Sequence, residues 1–153
     1  MEPIEFPNDV AVDSHGNITV VGGVGTLNDQ DLFMVKLSQQ GEPVWPEPKR
    51  EIGDEFTTAL GIAIDPQDNI LVTGVDEGDL ILIKLNPAGE EIWRKIFAGG
   101  GSERGTAVVI DPEGHIYVTG DSDAQTGDPN LLVLKYDPQG NLKWSAHYEV
   151  DDP

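Results

Sequence analysis

Val10-Ala11-Val12-Asp13-Ser14-His15-Gly16-Asn17-Ile18-Thr19-Val20 opens a phrase that this chain writes three times. It returns as Ile62-Ala63-Ile64-Asp65-Pro66-Gln67-Asp68-Asn69-Ile70-Leu71-Val72 and again as Val108-Val109-Ile110-Asp111-Pro112-Glu113-Gly114-His115-Ile116-Tyr117-Val118. Each copy runs from an apolar segment to an aspartate, through a short polar turn, into a segment rich in β-branched residues. The leading aspartates Asp13, Asp65 and Asp111 stand 52 and 46 residues apart, a period that belongs to supersecondary repeats. A second phrase follows each: Leu32-Phe33-Met34-Val35-Lys36-Leu37, Leu80-Ile81-Leu82-Ile83-Lys84-Leu85 and Leu131-Leu132-Val133-Leu134-Lys135-Tyr136. A third landmark closes the unit, with Gly41, Gly89 or Gly140 followed four residues later by Trp45, Trp93 or Trp144. Three landmarks in fixed order, three times over, define a repeat.

Each unit reads as four strands. The first ends at the aspartate, and the second stops at Gly22, Gly74 or Gly120. The third is the apolar run ending in Lys36, Lys84 or Lys135, and its near-continuous hydrophobicity predicts burial on both faces. The fourth carries the tryptophan and alternates more polar residues, as in Glu91-Ile92-Trp93-Arg94-Lys95-Ile96-Phe97. The turns Asp111-Pro112-Glu113-Gly114, Asn86-Pro87-Ala88-Gly89 and Asp137-Pro138-Gln139-Gly140 share one grammar. Asp or Asn caps through its side chain, Pro presets φ, and Gly takes the left-handed position. The expected fold is all-β: one unit over 1–153 made of three four-stranded antiparallel blades of a β-propeller, at about 4–52, 53–98 and 99–150. Propellers close with about four to eight blades, so the ring must be completed by a second copy, giving six, or by blades outside this chain.

The third unit carries a resemblance. Ile96-Phe97-Ala98-Gly99-Gly100-Gly101-Ser102-Glu103-Arg104-Gly105, running into Ile110-Asp111-Pro112-Glu113-Gly114-His115-Ile116-Tyr117-Val118-Thr119-Gly120, resembles the bacterial SBBP-type β-propeller repeat. The first unit departs most, because Val21-Gly22-Gly23 replaces Thr-Gly and Pro46 and Pro48 interrupt its fourth strand. The resemblance implies a scaffold or binding module of a secreted or cell-surface bacterial protein. It brings no family-wide catalytic residues to transfer.

The chain has 9 basic and 28 acidic residues, a net charge of −19. That argues against nucleic acid and anionic membranes, which need Lys and Arg. There is no cysteine, hence no disulfide framework or thiolate chemistry. No apolar run has the length of a membrane-spanning helix. The start Met1-Glu2-Pro3-Ile4-Glu5 lacks the basic and apolar regions of a signal peptide, so an exported form would have lost its signal or carry it outside this chain.

Antiparallel order places the long connections, 23–31, 75–79, 121–130, 46–57 and 98–105, on one face. That face is acidic: Asp29, Asp31, Glu47, Glu51, Asp54, Glu55, Asp76, Glu77, Asp79, Glu103, Asp121, Asp123 and Asp128 stand against Lys49, Arg50 and Arg104. Asp121, Asp123 and Asp128 form the most local cluster, a candidate for calcium, which takes six to eight oxygens. The match to an EF-hand loop fails, and a solvated loop is the plainer reading. His15, His115 and His147 are scattered and do not suggest a metal triad. Asp9, Arg104 and Thr106, at the leading ends of first strands, are candidate ligand-binding residues at the mouth of a central channel. No catalytic residue is assigned, and no cofactor beyond calcium. The repeated Asp13, Asp65, Asp111, Lys36, Lys84, Lys135, Trp45, Trp93 and Trp144 are expected to be structural, each lysine near its aspartate. The functional expectation is a non-catalytic module that binds a cationic or glycan ligand and assembles with itself, as a homodimer or higher oligomer. The alternatives are an enzyme at the channel mouth and a subunit of an extracellular filament.

Overall fold

The computed structural model describes residues 4–27, 29–51, 56–124 and 129–149. The expected all-β architecture is what forms: three four-stranded antiparallel sheets, each in simple sequence order. The first contains β1 (Ile4–Val12), β2 (Ile18–Thr26), β3 (Asp29–Leu37) and β4 (Lys49–Glu51). The second contains β5 (Thr57–Ile64), β6 (Ile70–Asp76), β7 (Asp79–Leu85) and β8 (Glu91–Phe97). The third contains β9 (Glu103–Ile110), β10 (Ile116–Ser122), β11 (Asn130–Tyr136) and β12 (Leu142–Tyr148). No helix occurs among the described residues, so none there is long and apolar enough to cross a membrane.

Two-residue periodicity sets which face of each blade meets its neighbour. Thr19, Val21, Leu32 and Met34 of the first blade turn towards the second and are buried. Ile70, Val72, Ile81 and Ile83 of the second turn back towards them and share one apolar core with Val21, Leu32 and Met34. Leu71, Leu80 and Leu82 turn the other way and form a second core with Val108, Ile116, Val118, Leu132 and Leu134. Burial of the third strand on both faces is therefore observed in the middle blade, where Leu80, Ile81, Leu82 and Ile83 are at most 1 % exposed. In the outer blades one face lacks a neighbour and the same strand alternates. The first strands pack on one another, β1 on β5 and β5 on β9, which makes them the innermost strands around the propeller axis.

The fourth strand of the first blade is interrupted, as its prolines imply, and only the place of its tryptophan differs from the expectation. Trp45 lies before β4 and outside it, because Pro43, Pro46 and Pro48 have no N–H to give to a ladder. What remains is an isolated bridge between Leu37 and Pro43 and a three-residue strand against Leu32–Met34.

The tryptophans join blade to blade. Trp45, 4 % exposed, lies on Gly89 of the next blade's last turn and donates its indole N–H to the Pro87 carbonyl at 3.2 Å. A Cβ at Gly89 would stand 2.9 Å from the indole carbons. Trp93 lies on Gly140 in the same way, at 3.0 Å. Lys49 and Lys95 cover the two indoles at 5.9 and 6.0 Å from the ring centres. Trp144 meets the Tyr117 ring of its own blade, with centroids 6.5 Å apart, and is 44 % exposed, with no blade among the described residues packed on its outer side.

Candidate functional site

Each tight turn between first and second strands is organised by its leading aspartate. Asp13 Oδ1 accepts the backbone N–H groups of His15 and Asn17, while Oδ2 accepts the Asn17 amide. Lys36 Nζ closes the arrangement at 2.9 Å from Asp13 Oδ2, both side chains being about as buried as the core. Asp65 repeats this with Gln67, Asn69 and Lys84, the last also at 2.9 Å. Burial pushes both carboxyls up, but the hydrogen bonds from Asn17 or Asn69 and from the lysine outweigh it. Both aspartates are held below the usual carboxylate range. Lys36 also donates to the Pro87 carbonyl at 3.3 Å, which ties the latch to the next blade.

The third blade breaks the pattern. His115 stands where Asn17 and Asn69 stand, and its Nδ1 lies 3.1 Å from Asp111 Oδ2. Tyr117 donates its hydroxyl to the same oxygen. With that oxygen engaged, Lys135 does not pair with Asp111 but lies over the Tyr117 ring, 5.2 Å from its centre. The expected lysine–aspartate contact thus forms in two blades, and in the third the lysine turns to an aromatic face.

Asp111, Glu113 and His115 bring ligand atoms within 4.8 Å of one another. Sequence reasoning discounted the histidines as scattered. The signal was Asp-x-Glu-x-His within one turn, where a chain reversal gathers alternate residues. Two carboxylates and an imidazole suit a transition metal better than calcium, which prefers an all-oxygen shell. Asp111 and His115 bond each other, so both would have to turn towards an ion.

A cavity of about 370 Å³ opens where the three first strands end. Val12, Ile64 and Ile110 form its apolar wall, and Ser14, Asp65, Pro66, Asp68, Asp111 and Pro112 its rim. This is the channel end on the tight-turn side, opposite the long connections that the sequence favoured. Ser14 crosses the rim to Asp68, its backbone N–H and hydroxyl reaching the two carboxylate oxygens at 2.8 and 2.6 Å. Asp68 holds a left-handed φ of 63° at the position that is glycine in the other two turns.

The residues expected at the channel mouth each have partners within the blades. Asp9 accepts from its neighbour Val10 and from the Ile62 N–H of the next blade, at 2.8 and 3.0 Å. Arg104 pairs with Asp121 at 3.1 Å, and Thr106 donates to the Thr119 carbonyl. Of the calcium candidates, Asp121 therefore faces a guanidinium, and Asp123 accepts the Ser102 N–H at 2.6 Å. Asp128 lies outside the described residues, as do Asp54 and Glu55 of the acidic rim. Glu103, counted with that rim, is fully buried. Its carboxylate accepts the N–H groups of Gly99 and Gly101 and the Ser122 hydroxyl. The glycine-rich loop thus wraps a carboxylate of its own chain.

No protein-family model matches the chain, and no curated protein matches it. Among solved structures it is similar to an X-ray structure named as that of a proposed gluconolactonase, at 20 % identity and a TM-score of 0.50. The match covers 89 % of this chain and 46 % of that one, so this chain spans about half the neighbour's length. The neighbour is a β-propeller, and the likeness supports that fold for this chain, as an open arc of three blades.

Proposed function

We propose that the chain is a non-catalytic β-propeller repeat module, a secreted or cell-surface scaffold of the SBBP type that binds through its rims and assembles through its blade edges. The observation that supports this reading most is the engagement of the polar side chains around the channel. Asp9, Asp13, Lys36, Asp65 and Lys84 each hold a turn or a neighbouring blade. An acid–base site needs groups free to meet a substrate, and a latch does not supply them. The acidic long-loop face suits cationic ligands, with calcium at the loop of Asp121 and Asp123, and the same rims offer surface to a glycan.

One observation favours a channel-mouth enzyme instead: the Asp111–Glu113–His115 group beside the cavity. Hydrolysis of gluconolactone and of activated esters, followed with calcium or zinc added, separates the two readings. The scaffold reading expects rates equal to buffer with the same ions. Acceleration that disappears in Asp111→Asn would establish the enzyme instead.

A further inference from the structure

We infer that the two open edges of this arc are complementary halves of one junction and that a second copy of the chain closes the ring head to tail, the third blade of each docking on the first blade of the other. The inference rests on the reading of the chain as an assembling module and names its partner. The internal junctions show what a junction requires. An indole lies on the last-turn glycine of the next blade, twice over, at Trp45 on Gly89 and Trp93 on Gly140. Each half is then left over once: Trp144 is 44 % exposed at one edge. Gly41, at the other, has nothing within 4 Å of where a Cβ would sit.

A second pair of unmet partners lies deeper in the same faces. Val10, Ile62 and Val108 are equivalent, opposite Val20, Val72 and Val118 on their second strands. Ile62 and Val108 are pegs driven into the preceding blade, 7 % and 5 % exposed, whereas Val10 is 55 % exposed. The matching socket stands empty on the third blade, an apolar hollow of about 80 Å³ between Ala107, Val109, Tyr117, Thr119 and Val133. Thr119 and Val133 hold the repeat positions of Val21 and Met34, which share a core with the Ile62 peg. Peg and socket, indole and glycine are thus offered in the same orientation as at the internal junctions. Apolar faces of this kind are unfavourable in water, and covering both at once is what a ring achieves.

The arc length fits two copies. The chain matches 46 % of a propeller chain, so two copies have about the full length of that neighbour. A head-to-tail contact closes only when each chain turns through half the ring, and otherwise winds into a filament.

Light scattering and sedimentation on the wild type, Val10→Glu and Trp144→Glu test the junction. Both positions are exposed in the single chain, so both variants should fold, with far-UV circular dichroism melts as the control. The wild type is expected at about twice the 16.5 kDa chain mass and each variant at the single mass. An equimolar mixture of the variants retains one junction with both wild-type faces, so it should contain more dimer than either alone. A folded wild-type monomer, a mass that keeps growing with concentration, or a variant that stays dimeric would overturn the inference. So would a mixture no heavier than its components. A monomer that hydrolyses no lactone would remove the closure and leave the scaffold reading, whereas a dimer that does so would do the reverse.

Discussion

Lys36 and Lys135 hold the same place in the repeat but have different consequences for stability. Lys36 sits with Asp13 where both side chains are at most 3 % exposed. Removing it would leave a buried carboxylate uncompensated, which typically costs about 3–5 kcal/mol. Lys135 is half-buried over Tyr117, and a cation–π contact of that kind contributes about 0.5–1 kcal/mol. Urea unfolding should therefore show Lys36→Met losing about 3 kcal/mol or more and Lys135→Met less than about 1; equal losses would refute the distinction. The pH dependence follows from Asp13 and Asp65, whose carboxyls are lowered in the folded state. Their stabilisation is fully present above the ordinary aspartate value of about 4 and is lost as pH falls through the lower folded value. Lys36→Met removes one cause of that lowering, so its acid limb should be shallower than the wild type's. The first two latches were legible in the sequence because a charge recurring at the edge of a buried strand needs a partner. The third was not, because its outcome depends on His115 and Tyr117 competing for one oxygen of Asp111.

The last turn of each blade shows one residue meeting two demands, and the two can be separated. Gly41 and Gly89 hold nearly the same left-handed conformation, with φ of 82° and 81°. An alanine at either position meets the same backbone penalty, about 1–2 kcal/mol. Only at Gly89 would the new methyl also press on Trp45 and Lys49. Measured in the Trp144→Glu background, which keeps Gly41 uncovered, Gly89→Ala should destabilise by about 1–3 kcal/mol more than Gly41→Ala. Equal effects would mean that the indole does not bear on the glycine. The conformational demand was readable from the Asn-Pro-x-Gly grammar, since only the turn type is involved. The packing demand was not, because Gly89 meets Trp45 from 44 residues away, across a blade boundary. Glu103 was missed for a different, local reason: it was counted with the acidic rim by its place in a long connection, whereas the folded glycine-rich loop turns the Gly99 and Gly101 N–H groups onto it. The first blade's fourth strand was legible in part: the prolines that interrupt it in the sequence deny the ladder its donors, although the tryptophan landmark recurs there.

At the scale of the whole molecule the dominant quantity is charge. A net −19 on a 16.5 kDa chain disfavours the compact state through self-repulsion, and ring closure would bring two such chains together. The ion pairs that oppose it divide by depth. Lys36–Asp13 and Lys84–Asp65 are sheltered from solvent, whereas Arg104–Asp121 and Arg94–Glu91 lie near the surface. Salt shortens the Debye length from about 30 Å at 0.01 M to about 3 Å at 1 M. It therefore removes the long-range repulsion, weakens the surface pairs, whose worth is about 0–1 kcal/mol each, and touches the sheltered latches least. The balance favours the folded, assembled protein at high salt. Sodium chloride raised from 0.02 to 0.5 M should increase the melting temperature by several degrees, about 2–4 °C for each kcal/mol of relief in a chain of this length. The same change should tighten the dimer. Calcium at matched ionic strength adds a second, separable outcome, because a bound ion stabilises by mass action on top of screening. An excess over sodium that vanishes in Asp123→Ala locates that ion at the 121–124 stretch, whereas identical curves make the acidic rim a solvated surface. A melting temperature that falls with sodium chloride would mean that exposed ion pairs, and not repulsion among the excess carboxylates, decide the stability of this propeller arc.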